Sequence, residues 1–139
     1  MGRKTGYVRK PYESARAGPY DRDGYVGIYR SMTESPAWKA LTGDQVKLYI
    51  FCREQIAAKQ KPGHDFPMYE AYQGNDVFYM NWKKVQFLGL YRTNKDKFYR
   101  DIAALCELGF IERLYYGKSA RQKSVYRYSS KWQEYTASR

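Results

Sequence analysis

The sequence predicts an α+β domain with three main helices and a small antiparallel sheet that ends in a basic hairpin. Three observations carry that expectation. Phe98, Ile102, Leu105 and Leu108 recur at helical spacing, and Gly109 follows as a stop. Two strand-like runs come next, Phe110 and Ile111 with Leu114 and Tyr116, then Val125 and Tyr126 with Tyr128. Upstream, two further helical patterns begin at Thr42 and at Asn81.

Taken in order, residues 1–23 mix Gly, Pro, Arg and Tyr without helical or strand periodicity, so they read as a flexible basic N-terminal tail. Such a tail either follows a phosphate backbone or merely solubilises the chain. The folded domain is expected over 24–135, with 136–139 frayed. Gly24 to Met32 is rich in Val, Ile and Tyr and predicts a short strand. Ser35-Pro36 opens a short helix with proline at its first position, and Trp38 and Leu41 share its apolar face. Thr42-Gly43-Asp44-Gln45 matches a capping box, and the helix it starts is predicted to reach about Lys59. Val46, Tyr49, Ile50, Ile56 and Ala57 fall on one side of it and Leu48, Phe51 and Cys52 on another. A surface that wide suits a central helix packed by neighbours on two faces.

Gln60 to Asp76 holds two prolines and two glycines and predicts a long connection, part of which packs down through Phe66, Met68, Tyr69 and Tyr72. Val77–Met80 predicts a short strand. Asn81 caps a helix with Trp82, Val85 and Leu88 on one face, and Gly89 stops it. Leu90-Tyr91-Arg92 turns into the next helix, for which either Thr93 or Asn94 supplies the cap. Ser130 to Tyr135 predicts a last helical turn, with Trp132 covering an edge of the core.

The chain has 139 residues, enough for one domain with one core. Lys and Arg number 25 against 14 Asp and Glu, a formal charge of +11 that points to a polyanionic partner: DNA, RNA or an anionic membrane surface. From Tyr91 to Arg139 there are 11 Lys and Arg against 5 Asp and Glu, so the C-terminal third is basic in its own right. The 16 tyrosines fit strand packing, and exposed ones can stack on bases. Cys52 and Cys106 lie beside apolar residues in predicted helices, as small buried hydrophobes of a reducing compartment do. No run approaches membrane-spanning length and no signal-peptide core appears, so a cytoplasmic protein without a membrane partner is expected.

Catalysis finds little footing. The single histidine, His64, has no second histidine or cysteine pair at metal spacing, so no metal site is expected. No Gly-x-x-x-x-Gly-Lys-Ser/Thr loop is present, and one histidine gives no convincing Ser-His or Cys-His pair. A non-enzymatic protein without a cofactor is the expectation.

The helix-turn-helix over Trp82 to Leu108, the run Leu-Cys-Glu-Leu-Gly-Phe-Ile at 105–111 and the hairpin with a basic tip resemble a winged helix-turn-helix domain. The resemblance spans roughly Gly24 to Lys131. Domains of this family occur in replication initiators, replisome organisers and conjugative accessory factors of bacterial plasmids, phages and integrative elements, and in transcription regulators. It implies that the 95–108 helix enters the major groove of duplex DNA by its N-terminal half. Asn94, Lys95 and Arg100 would then read bases, by the bidentate matches of Asn to adenine and of Arg or Lys to guanine. Arg92, Thr93 and Lys97, like the wing cations, would contact phosphates or the minor groove, with Asp96 and Asp101 diluting the positive helix surface. The wing would contribute Lys118, Arg121 and Lys123, with Ser119 and Gln122 beside them in a turn that holds no anion. The implied role is a replication or conjugative-transfer accessory factor at an origin of a mobile element, partnered by a relaxase or replication enzyme and self-associating on DNA. A transcription regulator and a protein–protein adaptor are the alternatives.

Overall fold

Short polar side chains start four of the helices. Ser35 Oγ accepts the Trp38 N–H at 3.2 Å. Thr42 Oγ1 accepts the Gln45 N–H at 3.2 Å while Gln45 Oε1 accepts the Thr42 N–H at 3.0 Å, which closes the capping box. Asn81 Oδ1 accepts from Lys84 N–H at 2.9 Å, and Asn94 Oδ1 from Lys97 N–H at 3.1 Å. Each such cap satisfies an otherwise orphaned amide and stabilises its helix by about 1 kcal/mol.

The computed structural model describes residues 9–16, 24–55, 76–115 and 124–136. In chain order these form α1 (Arg30–Thr33), α2 (Pro36–Lys39), α3 (Gly43–Glu54), β1 (Val77–Met80), α4 (Trp82–Val85), α5 (Lys95–Glu107), β2 (Ile111–Tyr115) and β3 (Ser124–Tyr128). A 3-10 turn at Gln86–Leu88 extends α4, and another follows β3 at Lys131–Glu134. The fold is therefore α+β, with a three-stranded antiparallel sheet in the order β1-β3-β2. Register pairs Phe78 with Tyr126 and Met80 with Ser124 on one side of β3. On its other side Ile111 pairs with Tyr128, and the ladder slips between Arg113 and Tyr115.

The core lies where α3 and α5 cross over the sheet. Leu48, Tyr49 and Cys52 of α3 meet Phe98, Ile102 and Leu105 of α5, and the sheet adds Phe78, Met80, Ile111 and Tyr126, all buried. Phe78 stacks on Tyr128 with centroids 4.6 Å apart. Phe110 stacks on Trp132 at 6.1 Å with the rings 7° from parallel, so the last 3-10 turn does cover the end of the core.

Gly109 ends α5 in the left-handed region at φ 90°. Its N–H donates to the Cys106 carbonyl and the Phe110 N–H to the Leu105 carbonyl, the paired bonds of a Schellman stop. Gly89, also left-handed at φ 74°, follows the 3-10 turn after α4, its N–H donating to the Gln86 carbonyl.

Three expectations change. Gly24–Met32 is not a strand. Residues 24–29 carry no regular structure, Val26 and Ile28 half-buried and Tyr25 and Tyr29 exposed, and no described strand pairs with them. Alternation predicts which side chains face inward, yet a strand also needs a neighbouring edge. The chain then coils into α1, where Met32 is buried. The helix from Thr42 ends at Glu54, with Gln55 as its cap; Ile56 to Lys59 lie outside the described residues, as does the connection at 60–75. The helix after Asn81 holds α geometry only to Val85. Within the N-terminal segment, 10–13 closes a turn in which the Glu13 N–H donates to the Lys10 carbonyl.

Candidate nucleic-acid interface

The approach to α5 is a tight turn over Tyr91 to Asn94, closed by the Asn94 N–H donating to the Tyr91 carbonyl at 2.6 Å. Arg92 sits in this turn at φ 53°, a left-handed conformation that side chains with a Cβ adopt at a cost of about 1–2 kcal/mol. Arg92, Thr93, Asn94, Lys95 and Arg100 are all exposed. Five of the sequence-predicted residues thus share the start of one helix. Asn94, rather than Thr93, caps it, which commits its Oδ1 to the Lys97 N–H and leaves its Nδ2 as the group available to a base.

Lys97 has a different occupation. Its Nζ lies 2.8 Å from Asp44 Oδ2 of α3 and 2.9 Å from Asp101 Oδ2, one helical turn on. Nor does Asp101 dilute the helix surface, because it is buried at 5% exposure. It accepts from the Tyr91 hydroxyl at 2.9 Å, from Gln45 Nε2 at 3.1 Å and from Lys97. The anions that do share the exposed face of α5 with Arg100 are Asp96 and Glu107. Asp96 lies in the first turn, where the helix dipole favours it.

The network fixes α5 against α3 and fixes the turn before α5, so it positions the exposed cations without contacting a ligand. It also sets a pH dependence. The Asp44 carboxyl is held below its ordinary 3.8, first by the hydrogen bond from Lys97 and then by its charge. The Lys97 ammonium is held above its ordinary 10.5, chiefly by its bond to Asp44 and also by Asp101. A lowered acid stabilises above its ordinary value and loses that contribution as pH falls through the lowered one; a raised base does so below its ordinary value and loses it as pH rises through the raised one. The stability difference between the wild type and Lys97→Met is therefore expected to be largest between these limits and to shrink below pH 3.8, read as denaturation midpoints across pH.

The second half of the predicted site, Lys118, Ser119, Arg121, Gln122 and Lys123, lies outside the described residues. It joins the end of β2 to the start of β3, and Ser124 pairs with Met80, the residue before the Asn81 cap of α4.

Among the described residues no cluster of His, Cys, Asp and Glu is placed to hold a metal, and no helix is long and apolar enough to cross a membrane. Cys52 and Cys106 are free thiols, and burial pushes both above the ordinary thiol range. A surface hollow of about 400 Å³ beside Cys106, Glu112, Arg113 and Lys131 mixes both charge signs and favours no one ligand. Comparisons of the chain with protein families, with curated proteins and with solved structures return no match.

Proposed function

We propose that this chain is a winged helix-turn-helix protein that binds double-stranded DNA, α5 serving as the recognition helix and residues 116–123 as the wing. The observation that carries the reading is the exposed cation series Arg92, Lys95 and Arg100 at the start of α5, opened by an arginine in a strained backbone conformation. Strain retained at an exposed residue is common at functional sites, because it fixes a side chain's direction. The order α3, β1, α4, α5, β2, β3, with β3 central in the sheet, is compatible with a winged helix. The overall +11 supplies the long-range attraction a polyanion needs.

Asn94 Nδ2, Lys95 and Arg100 would face base edges, and Arg92 and Thr93 the phosphates. Lys97 works through Asp44 and Asp101 as a positioning residue. The biological setting favoured is an accessory factor at a replication or transfer origin of a mobile element. A gel shift tests the reading: random duplex is expected to shift at low salt, and an origin fragment from the same genetic element to shift more tightly. Tighter binding to a promoter fragment would favour a transcription regulator. No shift at low salt would remove DNA as the partner.

The backbone makes a separate prediction at position 92. Arg92→Gly relieves the left-handed strain and is expected to leave stability unchanged or raise it by up to about 1 kcal/mol. The same change removes a cation and is expected to weaken DNA binding by about tenfold. Melting curves and a binding titration on one preparation separate the two effects.

A further inference from the structure

α3 carries a face that the core covers only in part. Between the C-terminal half of this helix and the turn after α4 runs a groove of about 220 Å³, lined by Lys47, Ile50, Phe51, Glu54, Leu88 and Leu90. Ile50 and Phe51 are only half-buried, and so are Leu88 and Leu90. The segment that closes the groove also carries Phe87, which is 91% exposed. A half-covered apolar strip whose bordering turn also exposes a phenylalanine is unusual for a surface that meets only water.

The charges at the ends of this strip are arranged in a specific way. Lys47 and Glu54 are both exposed, and neither makes an ion pair with a described residue. They lie seven residues apart on α3, two helical turns or about 10.5 Å, and on one stripe of the helix. The midpoint between them falls between Ile50 and Phe51. A two-fold axis through that midpoint, with the helices antiparallel, sets Lys47 against the partner's Glu54 and Glu54 against the partner's Lys47. Ile50 then meets the partner's Phe51. The face is complementary to itself, as an isologous interface requires.

We propose that the α3 face is a homodimer interface, its occupant a second copy of this chain. The apolar centre supplies the association and the two crossed ion pairs set its antiparallel direction. Phe87 enlarges the apolar area contributed by each copy. This inference does not depend on DNA binding and is tested without DNA.

Sedimentation equilibrium of the full chain, from micromolar to sub-millimolar concentration, is expected to show a monomer–dimer equilibrium. Lys47→Glu alone replaces both crossed pairs by like charges, and so does Glu54→Lys alone. Each is expected to weaken dimerisation by roughly tenfold or more. Mixing the two single variants restores both pairs in a heterodimer, and the double reversal K47E/E54K restores both in a homodimer. Recovery in both arms supports the inference. Phe87→Ser is expected to weaken the dimer in the same assay. A monomer at every concentration overturns the inference, as does a dimer indifferent to the charge reversals.

Discussion

Gly109→Ala is expected to destabilise the chain by about 3 kcal/mol and to lower its melting temperature by about 10 °C. Two separate physical effects add at this position. The residue is at φ 90°, where a Cβ is strained whatever space surrounds it. There is also no space. A Cβ built there would lie 2.4 Å from the Trp132 backbone nitrogen and 2.5 Å from the Lys131 carbonyl carbon. Both are backbone atoms, so no rotamer change relieves the clash. The Trp132 N–H donates to the Gly109 carbonyl at 3.0 Å, and pushing the segment away breaks that bond and lifts Trp132 from Phe110. Gly89→Ala is the control. It shares the positive φ, 74°, but a Cβ there meets nothing within 4 Å. Its expected cost is the conformational part alone, about 1 kcal/mol. Equal losses at the two glycines in a denaturant titration would contradict the close approach of the last 3-10 turn to the end of α5.

Asp101→Ala is expected to cost about 3 kcal/mol, close to the range for removing one member of a buried ion pair. The buried carboxylate has three described donors: Tyr91, Gln45 and Lys97. Removing it strands the Tyr91 hydroxyl in a residue that is 2% exposed. Lys97, whose side chain is 31% exposed, keeps Asp44 and can turn toward water, which limits the loss. Asp101→Asn retains the shape and one carbonyl acceptor and is expected to lose about half as much. Because Tyr91 belongs to the turn that presents Arg92, both variants are also expected to weaken DNA binding more than their exposure alone would suggest. A stable Asp101→Ala protein would show that the network does not hold α5 in place.

What could be read from the sequence was local. Ser35-Pro36, the Thr42–Gln45 box, Asn81 and Gly109 announce helix boundaries because a cap acts within a few residues of itself. The buried stripe Phe98, Ile102 and Leu105 follows from helical period, and Val77–Met80 from β-rich composition. What could not be read was remote. Gln45 and Asp101 are fifty-six positions apart, so that pairing leaves no local mark, although the helical period does set Asp101 on the stripe of Phe98 and Leu105 and one turn after Lys97. Lys97 looked like its neighbours Lys95 and Arg100 for the same reason. The 24–29 segment has the alternation of a strand, but whether a described strand offers it an edge is a property of the assembled sheet. Within the candidate site, the exposed positions around the start of α5 were legible. The left-handed turn at Arg92 was not, since an arginine gives no conformational signal of positive φ.

Binding of a fluorescent duplex as a function of salt tests most directly whether this helix and this hairpin grip one double helix. The logarithm of the affinity is expected to fall linearly with the logarithm of salt concentration. Replacing Lys118, Arg121 and Lys123 by alanine should flatten that slope by about 2–3, and replacing Arg92, Lys95 and Arg100 should flatten it by a similar amount. A slope that neither triple variant changes, or no binding at low salt, would contradict the account.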